Sequence, residues 1–108
     1  MKNKLLKVDI KDINWTFTLM DNATYNNKHG KDSQGITASE LLEVDFNKKY
    51  FTLALVRHEL LHAYKASCCL NSTAEITAED VEEICAEIYE YHGPTMDIKA
   101  KEIYEGLK

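Results

Sequence analysis

The stretch His58-Glu59-Leu60-Leu61-His62 constrains this chain more than any other. It lies in a run from Lys48 to Leu70 that contains neither Gly nor Pro, and such a run predicts a helix. On a helix, positions i and i+4 share a face, so His58 and His62 project together. Two imidazoles placed that way can grip one zinc ion, and Glu59 between them can act on a water at the metal.

The helix around this stretch has two apolar stripes. Leu53, Val56, Leu60 and Ala63 lie on one side; Phe51, Leu55, His58 and His62 lie roughly on the other. A helix apolar on both sides is central to its domain. The two histidines are therefore expected in partly buried surroundings, where zinc would satisfy both. Asn47 is the expected N-cap.

Upstream, Leu6, Val8 and Ile10 alternate with polar residues, as do Trp15, Phe17 and Leu19. Both segments read as strands joined through Lys11 to Asn14 in a hairpin. Residues 21–35, rich in Asn, Asp, Ser and Gly, read as an exposed loop bordering a site. His29 in that loop reads as solvent-exposed rather than metal-bound. Ile36 to Phe46 resumes strand character, with Leu42, Val44 and Phe46 on one face. As an edge strand it can hold an extended peptide by β-augmentation. As a third strand it simply closes a small sheet.

Downstream, Cys68 to Ile76 breaks the first helix, with Asn71, Ser72 and Thr73 as turn residues. Thr77-Ala78-Glu79-Asp80 looks like a cap with acids in the first turn of a second helix, which runs to about Tyr91. Gly93 is expected in the left-handed position that ends it, and Pro94 in the first turn of a third helix closing near Gly106. Strands first and helices after make an α+β plan. The expectation is one domain, residues 1–108: a small, mainly antiparallel three-stranded sheet, the HExxH helix, a glutamate-bearing helix and a C-terminal helix.

A catalytic zinc site needs a third protein ligand and one open position. The second helix is dense with carboxylates, and Glu83 and Glu87 stack at i, i+4 beside its apolar stripe of Val81, Ile84, Ile88 and Tyr91. Glu83 would bind the metal, while Glu87 would accept the free ring N–H of a ligand histidine. Helical geometry leaves Glu82, or Glu87 itself, open as the direct ligand. Glu59 would take the water's proton and deliver it to a leaving amine. Candidate oxyanion donors are Tyr64, Tyr89, Tyr91 and His92, with His92 and Tyr91 ahead because they end the ligand helix. Cys85 reads as a small buried residue. Cys68 and Cys69 lack C-x-x-C spacing and receive no zinc role.

The site sits in a chain with 13 basic and 18 acidic residues and a net charge of −5, with no basic patch, which argues against nucleic acid as a partner. No apolar run reaches membrane length and no signal-peptide core is present, so neither a membrane nor secretion is expected. Three cysteines, two of them adjacent, do not make a disulfide framework. The expected compartment is the cytoplasm.

With these residues in place, the chain resembles a zincin metallopeptidase, and more narrowly a gluzincin, in which a helical H-E-x-x-H is followed by a glutamate on a second helix. It is similar to the small metallopeptidase-like proteins of bacteriophages and prophages. The matching stretches are Gly35-Ile36-Thr37, Glu43-Val44-Asp45-Phe46, Arg57 to Ala63, and Glu82-Glu83-Ile84-Cys85-Ala86-Glu87. The resemblance implies that His58, His62 and Glu83 bind Zn2+ and that Glu59 is the general base. It gives Glu87 a position that more often carries Asp or Asn. The metzincin extension, a Gly and a third His after His62, is absent. So is the large second lobe of bigger gluzincins, which leaves little wall for a substrate cleft.

Two functions, and a third reading as a structural domain with a metal-free core, are consistent with these residues. The first is a zinc-dependent peptidase acting on a peptide or protein in the cytoplasm, the host's if the chain is phage-encoded. The alternative is a non-catalytic, zinc-stabilised phage or prophage accessory protein that docks to a protein partner.

Overall fold

The computed structural model describes residues 3–31, 33–70, 83, 85, 86 and 88–108. Alternation sets up the first hairpin as expected. Strand β1 (Lys4–Ile10) pairs antiparallel with β2 (Ile13–Met20), bringing Leu6 opposite Phe17 and Val8 opposite Trp15. The connection is tighter than the segment 11–14 expected for it. Lys11 and Asp12 alone make the turn, with φ of 51° and 67°. Positive φ at both central residues matches the twist of the flanking strands.

The stretch expected to be a loop contains a helix, α1 (Asn22–His29). The Asp21 carboxylate caps it, accepting the Thr24 N–H at 2.8 Å. Gly30 closes it at φ 83°, a conformation that suits a residue without Cβ. Polar composition hid these caps, because Tyr25 is the one buried side chain of the helix.

Finding α1 changes the sheet. Residues 36–46 form not one strand but a hairpin, β3 (Gly35–Ala38) and β4 (Glu43–Asn47). β4 pairs parallel with β2, and β3 pairs antiparallel with β4. The result is a four-stranded mixed sheet in the order β1-β2-β4-β3, in place of the expected mainly antiparallel three-stranded one. A parallel pair requires a crossover connection. Once 21–35 is read as loop, that crossover cannot be seen.

One face of the sheet, bearing Trp15, Phe17, Leu19, Val44 and Phe46, packs into the core. On the other face, Asn47 donates to Asn22 Oδ1 at 2.9 Å. Asp45 accepts from Lys28 Nζ at 2.7 Å and lies 2.7 Å from His29 Nε2. These bonds tie α1 to β4. They also give His29 a partner, with its side chain 13% exposed rather than free in a loop.

Asn47 caps a short 3-10 turn, Lys48–Tyr50, rather than the long helix. That helix, α2 (Leu53–Leu70), starts under Thr52, whose hydroxyl accepts from the Leu55 N–H at 3.1 Å. Val56, Leu60, Ala63 and Ser67 form its buried stripe. Trp15 Nε1 donates to Ser67 Oγ at 2.8 Å and straps the helix to β2. Glu83, Cys85 and Ala86 are helical, and Ile88–His92 form a π-helical turn that runs directly into α3 (Gly93–Leu107). Gly93 is therefore inside a continuous helical path and is not among the positive-φ residues. Pro94, in the first turn, costs nothing there because that N–H has no helical acceptor. Ala100, Ile103 and Leu107 bury α3 in the core, and Arg57 pairs with Asp97 across α2 and α3. Among the described residues, no helix is long and apolar enough to cross a membrane.

Candidate metal centre

The buried stripe of α2 determines where its histidines point. With Val56, Leu60 and Ala63 taken into the core, His58 and His62 fall on the flank beside β3. Both are exposed, and the His58 side chain is 67% exposed. This corrects the expectation of partly buried histidines: of the second stripe, Phe51 and Leu55 pack against the core, while His58 and His62 line a cleft.

His58 Nε2 and His62 Nε2 lie 3.3 Å apart, with the rings edge to face at 80°. A tetrahedral zinc with bonds of about 2.0–2.1 Å to nitrogen separates two ligand nitrogens by about 3.3–3.4 Å. The pair therefore already stands at the spacing one ion demands, with the atoms that would bind it turned toward each other. Among the described residues the group able to hold a cation is His58, Glu59 and His62, with its ligand atoms within 4.8 Å of one another.

Glu59 points differently. Its side chain is 6% exposed and tucks under β3. Oε1 accepts from Thr37 Oγ1 at 3.0 Å, while Oε2 lies 3.8 Å from His58 Nε2. Gly35 permits this approach: a Cβ there would stand 3.2 Å from Glu59 Cγ, 3.3 Å from Leu55 Cδ1 and 3.4 Å from Phe46 Cδ1. Just before β3, Ser33 Oγ lies 2.7 Å from the Tyr25 hydroxyl of α1, and either can donate. Burial pushes the Tyr25 phenol up from its ordinary pKa. The Ser33 bond opposes this, and the negative charges of Glu59 and Asp45 add to it.

Between α2 and β3 runs a cleft of about 710 Å³. Gly35, Ile36, Thr37 and Ser39 line one side; His58, Glu59, His62, Lys65 and Ala66 line the other. In the order β1-β2-β4-β3, the β3 edge along the cleft has no strand partner among the described residues. The wall missing from the sequence reading is thus supplied by this strand. Thr37 in particular carried no signal beyond its place in a matching stretch, because a contact 22 residues away in the chain leaves no local pattern.

The other expected site residues fall elsewhere. Glu83 is helical and exposed and does not join the His58–Glu59–His62 group. Glu82 and Glu87, and the side chains of Tyr89 and Tyr91, lie outside the described residues. His92 is half-buried, its ring 5.8 Å from that of Tyr64, and neither is among the described residues lining the cleft. Cys68 and Cys85 are half-buried and stand outside the cation-binding group. The chain matches no protein-family model, no curated protein and no solved structure.

Proposed function

We propose that this chain is a zinc-dependent peptidase with Glu59 as its general base. One observation carries the reading: two imidazole nitrogens 3.3 Å apart, beside a buried carboxylate, on the wall of a cleft whose other wall is a sheet edge. His58 and His62 would hold the ion through Nε2, and a carboxylate of the second helix, Glu83 by sequence, would complete the set. Zinc held there supplies Lewis acidity, lowering the pKa of water toward neutrality and polarising a carbonyl. The chain's own part is proton transfer and alignment. Glu59 accepts the proton of the attacking water and returns it to the leaving amine. The open backbone edge of β3 offers N–H and C=O groups to an extended peptide.

The second reading, a zinc-stabilised accessory protein of phage or prophage type that docks without turnover, draws on that same β3 edge. A strand edge binds an extended partner whether or not a water is activated. The Glu59→Gln variant, loaded with zinc and assayed on fluorescein-labelled casein, separates them. Loss of a general base is expected to lower turnover by about 10²–10⁴-fold with zinc affinity retained. Full turnover in a folded, zinc-loaded variant would overturn the peptidase reading.

A further inference from the structure

We infer that Thr37 is the positioning residue for Glu59, so that the edge strand orients the base as well as walling the cleft. This rests on the peptidase reading for its catalytic meaning, but the geometry stands by itself. Thr37 Oγ1 is 3.0 Å from Glu59 Oε1 and 3.2 Å from the Glu59 carbonyl oxygen, so one hydroxyl spans the side chain and the backbone of the same residue. The hydroxyl has a single proton, and the nearer, charged oxygen is the stronger acceptor. Bonding there leaves Oε2 as the carboxylate oxygen on the His58 side, 3.8 Å from Nε2.

Three features make the contact a clamp. Glu59 is 5% exposed, so little water competes for Oε1. Gly35, two residues before Thr37, lets the strand lie close to Glu59, since a Cβ there would stand 3.2 Å from Glu59 Cγ. Thr37 is itself held in register opposite Val44, in the middle of the β3–β4 pairing. A base must be held within a fraction of an ångström of its productive geometry, and a flexible glutamate has three rotatable bonds to lose.

The test compares Thr37→Val, which keeps the branched shape and removes the hydroxyl, with Thr37→Ser, which keeps the hydroxyl. In zinc-loaded protein on fluorescein-labelled casein, Thr37→Val is expected to lower kcat by about a hundredfold with KM nearly unchanged, as misplacement of a catalytic group by about 1 Å does. Thr37→Ser is expected to restore most of it. Zinc affinity, read by competition with a chromogenic chelator, is expected to be the same in all three proteins. Side-chain carbon NMR of Glu59 reads the clamp without turnover: one fixed rotamer in wild type and Thr37→Ser, averaging in Thr37→Val. An unchanged Glu59 rotamer or an unchanged kcat in Thr37→Val would overturn the positioning role. A wild-type protein that binds zinc and fixes Glu59 yet leaves casein intact would count against the peptidase reading alone.

Discussion

Zinc should stabilise this fold, because the histidine geometry gives the native state a site the unfolded chain lacks. The two Nε2 atoms stand 3.3 Å apart without the ion. The two ligand nitrogens therefore need little change in separation to take up one ion. A ligand that binds only the native state stabilises it by RT ln(1 + [L]/Kd), about 2.7 kcal/mol at about a hundredfold excess over Kd. For 108 residues, near the upper end of the range in which 1 kcal/mol moves Tm by about 4–8 °C, the lower figure applies and the shift is roughly 10 °C. The assay is differential scanning calorimetry with zinc and with EDTA. His58→Ala and His62→Ala should each abolish most of the difference. Glu83→Gln should reduce it if Glu83 is the third ligand, and a full shift in that variant would move the role to Glu82 or Glu87. Superimposable curves with zinc and EDTA, or a full shift in a variant lacking both histidines, would refute the metal site.

Two further outcomes test the packing around the site. Ser67→Ala leaves the buried Trp15 Nε1–H without its 2.8 Å acceptor, so urea unfolding should show a loss of about 1–3 kcal/mol; a change within error would mean the strap between β2 and α2 carries nothing. Tyr25 titrates above its ordinary 10.0, chiefly through burial, so the folded protein keeps this proton to higher pH than the unfolded chain does. Its contribution is complete below about pH 10 and declines as pH rises through the raised value. Lys28, raised mainly by its bond to Asp45, contributes with the same sign, so Tyr25→Phe should flatten the alkaline loss of stability without removing it, and an identical slope would refute the assignment.

The two fixed histidines, the glutamate between them and the absence of Gly and Pro were enough to place the site on a helix, because side chains four apart on a helix meet whatever the rest of the chain does. Period-two alternation was enough for the first hairpin, and strands followed by helices for the α+β class. These properties are local, set by backbone geometry over fewer than about ten residues. What tertiary structure decided is everything that depends on which elements meet. α1 is polar and short, and its burial comes from Tyr25 and from bonds to β4, so composition disguised it. With it went the crossover, the parallel β2–β4 pair and the place of β3 at the edge. The exposure of His58 and His62 was settled by packing: Val56, Leu60 and Ala63 are buried and Phe51 and Leu55 pack beside them, which leaves the two histidines on the cleft. The contact of Thr37 with Glu59 joins residues 22 apart in the chain; only the packing of β3 against α2, at the close approach Gly35 allows, brings that hydroxyl to that carboxylate.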